Sequence, residues 1–333
     1  MPRVAIVGAG IVGAATAWAL ARRGVDVELY EQFERGHRRG SSHGRSRIWR
    51  LAYPEPEWVA LARAGVRGWR ELEAETGEQL LVTTGLLELA GSEKLGSRAA
   101  LEAAGISAEP LGRAEVEARF GVRIPPGWSC LFQPEAGYVL ADRALAAFLD
   151  VALRRGARLE TGRRVNPYEL DADAVVVTAG PWAPRLLAGH GIELPVTTTR
   201  ETVAYFDLGR PVPSMLEIPG LDRAFHMYSL VDPAHGLKVG CHRSGTAADP
   251  DEEGGPDPEI VARIVDWARE RFPGLGADPV RADTCFYTST DDERFLLERH
   301  DGIVVGSACS GHAFKFAPAL GERLADLATG AVG

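Results

Sequence analysis

The sequence predicts an α/β chain of two domains, a parallel-sheet nucleotide-binding domain interleaved with a second domain built on a mostly antiparallel sheet. Three observations predict it. The first is the opening unit. A short apolar run, Val4 to Val7, meets Gly8-Ala9-Gly10-Ile11-Val12-Gly13 and continues into an Ala- and Leu-rich helix through Ala21. The second is a distant valine-rich stretch, Ala172 to Ala183, ending in Ala179-Gly180-Pro181. Near-continuous valines of this kind mark a central strand buried on both faces. The third is the long strand-rich stretch between the two, which makes the chain leave the parallel sheet and return to it. The expected division places residues 1–82, 138–193 and 281–333 in the first domain and 83–137 and 194–280 in the second.

Each glycine of the opening unit has a separate task. Gly8 makes the tight turn, Gly10 lets backbone approach a pyrophosphate, and Gly13 lets the helix pack close to the strand. The diphosphate then meets free N–H groups and the positive end of the helix dipole. A second strand, Val27 to Tyr30, ends at Glu31, 18 residues after Gly13, where a ribose hydroxyl needs an acceptor. The strand before the motif, the helix after it and the terminal acid agree on a Rossmann-like dinucleotide site. A glycine turn used only for packing is the competing reading.

Beyond Glu31 a polar loop carries Arg35, His37, Arg38, Arg39, Ser42, His43, Arg45, Arg47 and Arg50. Pro54 to Thr76 has Trp58, Leu61, Ala62, Val66, Trp69 and Leu72 at helical spacing. Leu80 to Leu89 reads as strands broken by Gly85, Ser92 to Phe120 as charged helix, and Arg123 to Gln133 as a turn leading into a strand. Gly137 to Val139 precedes an amphipathic helix, Ala141 to Arg155, and Gly156 to Glu160 begins a further strand. Val196 to Leu208 and Ala224 to Val239 read as strands of the antiparallel region, and Pro258 to Phe272 as a helix. Asp283 to Leu297, Gly302 to Ala308 and Gly311 to Leu327 read as strand, strand and helix. The acidic loop Ala247 to Pro258 is expected in solvent.

The 333 residues, 45% of them hydrophobic, suffice for a sizeable core. A net charge of −9 argues against nucleic acid or an anionic membrane as partner. No long uncharged apolar run suggests a membrane span. The apolar N-terminus lacks a charged leader region and fits strand-turn-helix better than a signal peptide. Cys130, Cys241, Cys285 and Cys309 are scattered, with no CxxC pair, so neither a disulfide framework nor a metal site is expected. A cytoplasmic setting and a monomer or small homo-oligomer are the corresponding expectations.

Five stretches together resemble the D-amino-acid-oxidase-type flavoproteins, in the branch of monomeric sarcosine oxidase and N-methyltryptophan oxidase. They are the glycine unit with Glu31, Ser42 to Arg50, Ala174 to Trp182, Gly236-Leu237-Lys238-Val239-Gly240-Cys241-His242, and Thr284 to Thr288 running on to Ser310-Gly311-His312-Ala313-Phe314-Lys315-Phe316. The resemblance implies FAD, carried on Cys285 through an 8α-thioether bond. It implies that Lys238 promotes reaction of the reduced flavin with oxygen, that Arg50 and Lys315 bind the substrate carboxylate, and that His242 lies beside the substrate. The expected cofactor-binding set is Gly8, Gly10, Gly13, Glu31, Ser42, His43, Arg47, Gly180, Cys285, Gly311, His312 and Lys315, with His312 contributing backbone N–H groups at the last helix. Cys309 is the competing flavin carrier, and Cys130 and Cys241 read as structural.

The implied activity is that of an oxidase. Hydride passes from the α C–H of a secondary amino acid, N-methyl or cyclic, to flavin N5, giving an imine while O2 becomes H2O2. A flavin amino-acid dehydrogenase or desaturase is the alternative. An NAD-dependent dehydrogenase fits less well, because it has no ready use for Cys285 or the Ser310 to Phe316 segment, and retention of Arg50, Lys238, His242 and Lys315 together speaks against a non-catalytic flavoprotein subunit. Two departures from the family pattern stand out. Counting back from Lys238, Met227 falls where these oxidases carry a pocket tyrosine, with Tyr228 one position off. The chain also ends at Gly333, where relatives continue, which leaves closure of the site open.

Overall fold

The computed structural model describes residues 2–91, 95–218, 226–276 and 278–330. Ser92, Ala224 and Gly333, which bounded expected elements, lie outside them. The opening unit folds as strand β1 (Arg3–Val7), helix α1 (Ile11–Arg22) and strand β2 (Asp26–Tyr30). β1 pairs in parallel with β2 on one side and with Ala174–Val177 on the other. The two valine-rich strands read from the sequence are therefore neighbours. The full six-stranded order is Leu296–His300, Ile303–Ser307, Ala174–Val177, β1, β2, Arg158–Glu160, with only the first strand antiparallel to its neighbour. Val4, Ile6, Val176 and Val304 face α1 and the helices Ala141–Arg154 and Ala317–Thr329. Ala5, Val7, Val175 and Val177 face the opposite layer around Ala183 and Leu187. Burial on both faces is why this strand sequence shows no alternation.

A nine-stranded, mostly antiparallel sheet forms the second body. Its path runs Thr246–Ala247, Thr197–Phe206, Gly236–His242, His226–Asp232, Ser214–Ile218, Leu86–Ala90, Ser129–Gln133, Glu109–Leu111, and Arg281–Ser289 also pairs with Thr197–Phe206. Leu237, Val239 and Cys241 join the core under the helix Pro258–Arg271, with Ile260, Ile264 and Trp267. Period-2 alternation then leaves Lys238, Gly240 and His242 on the other face. Ser46–Trp49, Gly137–Leu140 and Leu81–Thr83 make a small third sheet.

Several elements differ from their sequence reading. Arg281–Ser289 hydrogen-bonds along Thr197–Tyr205, so this strand is part of the antiparallel sheet. Strand pairing is non-local, and no local pattern in the strand names its partner. The stretch ending at Val239 is a hairpin, because the Asp232 carboxylate accepts the N–H groups of Ala234 and His235, both at 3.1 Å, and closes a turn. The charged region up to Phe120 holds two helices, Ser97–Ala103 and Arg113–Phe120, separated by a short strand. The acidic loop is mostly exposed but anchored: Arg185 pairs with Asp249 at 2.7 Å and with Asp251 at 2.6 Å. Among the described residues no helix is long and apolar enough to cross a membrane.

Candidate active site

Gly8 has φ +100°, and a Cβ there would lie 2.6 Å from the Thr178 carbonyl oxygen. No other residue fits a left-handed turn pressed against the neighbouring strand. A Cβ on Gly13 would lie 2.0 Å from the Gly8 carbonyl, so Gly13 sets the packing of α1 on the turn. Gly10 meets only the Ser42 hydroxyl, whose Oγ accepts the Ile11 N–H at 2.9 Å. The Glu31 carboxylate accepts the N–H groups of Ala9 at 3.0 Å and Phe33 at 3.1 Å. Burial alone would raise its pKa, but these bonds and nearby His37 hold it below the usual carboxylate range.

One cavity of about 670 Å³ brings together Gly8, Gly10, Glu31, Ser42, His43, Arg47, Arg50, Gly180, Lys238, His242, Cys285, Gly311, His312 and Lys315. Of the site residues expected from sequence, only Gly13 lies behind its wall. The cavity thus runs from the nucleotide turn to the inner face of the antiparallel sheet.

Among the described residues Arg50, Lys315 and Lys238 make no ion pair with an acidic side chain, and neither does Arg47. Arg50 donates to the Ala52 carbonyl and lies 3.8 Å over the Tyr53 ring. Lys315 donates from Nζ to the His312 carbonyl at 3.0 Å, and burial together with Arg50 holds its ammonium well below the usual lysine range. Lys238 is buried on its strand, and burial with Arg47 nearby brings its pKa down to about 7. Arg47 itself organises the loop, donating to the carbonyls of Ser41, His43 and Ser46 at 2.9, 2.6 and 2.8 Å.

Cys285 is half-buried, and burial pushes its thiol up despite the nearby charges of Arg47 and Lys238. Cys309 lines the same cavity and accepts the Thr288 N–H at 3.5 Å. Burial and Arg47 bring His43 down to about 3, so it is neutral, and its buried Nδ1 has no partner. His242 Nε2 sits 3.1 Å from Glu293 Oε1, and its ring faces Tyr287 and His226 at 5.5 and 6.3 Å.

Two expectations need correction. The His312 N–H donates to the Cys309 carbonyl at 2.8 Å, as does that of Ala313 at 2.9 Å, so these are not free donors. The turn Cys309–Ala313 claims them before the 3-10 turn Ala313–Phe316 and the last helix begin; His312 reaches the cavity through its ring, bonded from Nε2 to the Glu293 carbonyl at 2.9 Å. The tyrosine position also resolves. Met227 pairs with Cys241 in the outer core, whereas Tyr228 pairs with Gly240 on the face that carries Lys238. A Cβ on Gly240 would lie 2.4 Å from the Tyr228 ring, so glycine makes the room the tyrosine occupies. Burial raises the phenols of both Tyr228 and Tyr287.

The sequence reading missed Glu293, Tyr287, Tyr53, Trp58 and Phe295 as cavity residues. Strand alternation from Cys285 identifies Tyr287, but an acid in the run Asp291-Asp292-Glu293 carries no local sign of burial. Among the described residues no group of three or more His, Cys, Asp or Glu is placed to hold a metal ion.

A profile of the family described as "DAO: FAD dependent oxidoreductase" matches residues 3–327. The chain is 36% identical to the peroxisomal sarcosine oxidase of Mus musculus, covering 97% of this chain and 90% of that one. It is 31% identical to the monomeric sarcosine oxidase of Bacillus sp. (strain B-0618), covering 98% and 91%. The solved structure of NikD, described as an unusual amino acid oxidase essential for nikkomycin biosynthesis, superposes with a TM-score of 0.88 at 27% identity, over 100% of this chain and 95% of that one.

Proposed function

The chain belongs to the FAD-dependent oxidoreductase family, as an enzyme acting on CH–NH bonds, and from that premise we propose that it oxidises a secondary amino acid, N-methyl or cyclic, to the imine with O2 as electron acceptor. The observation that carries this reading is the pair Arg50 and Lys315. Both face one cavity with the nucleotide turn, and among the described residues neither has a carboxylate partner.

The residues present fit FAD. Gly10, where a Cβ would meet only the Ser42 hydroxyl, lines the cavity, Glu31 stands at the end of β2, and His43, whose buried Nδ1 has no partner, lines the same cavity. When bound, FAD supplies the acceptor for the hydride leaving the amine and passes the electrons to oxygen. Gly8, Gly10, Glu31, Ser42, His43, Arg47, Gly180 and Gly311 would hold it, with Cys285 as the covalent anchor. Arg50 offers a planar fork that grips both oxygens of a carboxylate, and Lys315 adds a compact point charge. Fixing the carboxylate fixes the α carbon, so the pair contributes orientation as well as affinity. Tyr228, Tyr287, Trp58 and Phe295 wall this end and exclude water. Lys238 supplies a cation where oxygen becomes anionic on reduction. We divide the chain into domains as read from the sequence, with the boundary at 281 moved to about residue 290 because Arg281–Ser289 pairs with Thr197–Phe206.

Loss of one charged hydrogen bond costs about 1.5–3 kcal/mol. Arg50→Ala and Lys315→Ala should therefore raise KM for the true amino acid roughly ten- to a hundredfold. The matching decarboxylated amine should be a poor substrate of the parent and lose little more in either variant. Equal oxidation of that amine and the amino acid by the parent would show that no carboxylate is gripped.

A further inference from the structure

We propose that Glu293 is a positioning residue for the oxidation: its carboxylate orients His242 and fixes which of its ring nitrogens carries the proton, while its main chain ties His312 into the same wall. The inference rests on the cavity being the amino-acid site.

Glu293 lies on the turn between Arg281–Ser289 and Leu296–His300. Its neighbour Asp292 is exposed and accepts the Arg294 N–H at 3.1 Å. Glu293 instead turns inward. Oε1 takes His242 Nε2 at 3.1 Å and Arg243 Nη1 at 3.2 Å. Its main-chain carbonyl takes His312 Nε2 at 2.9 Å, and the His312 carbonyl in turn takes Lys315 Nζ. One residue therefore contacts two of the imidazoles on the cavity wall and stands one bond from the carboxylate-binding lysine.

The backbone shows that this placement is imposed. Glu293 has φ +61° and Arg243 has φ +57°, a region disfavoured for residues with side chains. Both members of one ion pair hold this conformation, which persists only where surrounding contacts determine it. Burial alone would raise the Glu293 carboxyl, but His242, His312 and Arg243 outweigh it and hold it at about 2, so it only accepts hydrogen bonds. A neutral His242 must then carry its proton on Nε2, which leaves Nδ1 as the proton acceptor. An amino acid enters as an ammonium and must lose a proton before hydride can leave, and an imidazole with one defined basic nitrogen serves that loss. The groups facing His242 are Glu293 and Arg243 from the turns, His226 from the adjacent strand and Tyr287 from Arg281–Ser289.

The test has two arms on the holoenzyme. In ¹⁵N-histidine spectra, with the His242 signals assigned by their loss in His242→Gln, the parent should show protonated Nε2 and bare Nδ1. Glu293→Ala should replace this by a tautomer mixture; unchanged ring signals would overturn the proposal. In the second arm, Glu293→Gln should slow anaerobic flavin reduction by the amino acid at least tenfold, yet change it less than twofold in a His242→Gln background. A full tenfold loss in that background would show that Glu293 does not act through His242. If Glu293→Ala does not fold, the Gln variant decides alone. A parent flavin that no amino acid reduces would sink the functional reading, and the spectra would still judge Glu293.

Discussion

Replacing Lys238 by methionine should make the protein more stable and a worse oxidase. The side chain is buried, and its pKa falls from 10.5 to about 7. At about 1.4 kcal/mol per tenfold change in proton affinity, keeping the ammonium there costs roughly 5 kcal/mol. The unfolded chain binds the proton more tightly, so between pH 7 and 10.5 stability rises with pH as the folded lysine gives up its charge. Below about pH 7 the full cost is present, and above 10.5 it vanishes. Lys238→Met should therefore gain most at pH 6 and progressively less toward pH 10. With an unfolding entropy of about 2.1 cal/mol/K per residue and 333 residues, the gain at pH 6 is at most roughly 7 °C in Tm.

Stopped-flow kinetics supply the other half. A negative charge arriving beside Lys238 favours the ammonium, so reoxidation by O2 should decline as pH rises through a value at or above 7. In Lys238→Met it should be slow at every pH, while anaerobic reduction by the amine is largely kept. A Tm gain equal at pH 6 and pH 9.5 would refute the burial argument, and normal reoxidation would refute the role in oxygen reduction.

If Cys285 carries the flavin, acid-precipitated protein stays yellow and peptide mapping finds the flavin on the Thr284 to Thr288 peptide; a flavin peptide containing Cys309 would move the anchor, and a colourless pellet would remove it. Gly10→Ala, where a Cβ meets only the Ser42 hydroxyl at 3.1 Å, should leave a folded protein with less absorbance near roughly 450 nm, the oxidised flavin band. Gly13→Ala, which drives a Cβ to 2.0 Å from the Gly8 carbonyl, should instead lower Tm before any flavin is counted, and a normal melt would show that the α1 packing relaxes.

The sequence exposed most of the nucleotide end because its physics is local. A turn at φ +100°, a helix start and a strand-ending acid sit within one short unit, and each leaves a residue-type signature. The valine runs announced burial on two faces in the same direct way. The substrate end was legible only in part. Strand alternation was available from Lys238, Gly240 and His242, yet which partner residue shares their face depends on hairpin register. A count along the chain put Met227 at the tyrosine's position, and the register puts Tyr228 on the face that carries Lys238. Pairing of Arg281–Ser289 with Thr197–Phe206 and the inward turn of Glu293 are long-range consequences with no local signature. The donors expected at the last helix failed for a related reason, since the carbonyl of Cys309, in the turn ahead of it, claims N–H groups that a straight helix start would leave free.

The charge balance of the whole chain sharpens the meaning of the cavity. Acidic residues outnumber Lys and Arg by 46 to 37, and most surface arginines have found one, as Arg3, Arg23, Arg119 and Arg158 do. In such a chain a buried or half-buried cation without a carboxylate goes against the available chemistry. Arg50, Lys315 and Lys238 are such cations, and they line a single cavity. Burying unpaired charge is unfavourable, and the downward shifts of Lys238 and Lys315 record that cost in the free protein. Two negative charges relieve it in the proposed reaction. The substrate carboxylate meets Arg50 and Lys315, and the charge that develops on oxygen reduction meets Lys238. Supplying those negative charges from the protein would relieve the same cost and cancel the function: an acidic substitution beside Arg50 removes the reason for the substrate carboxylate to bind, and one beside Lys238 removes the free cation for oxygen reduction.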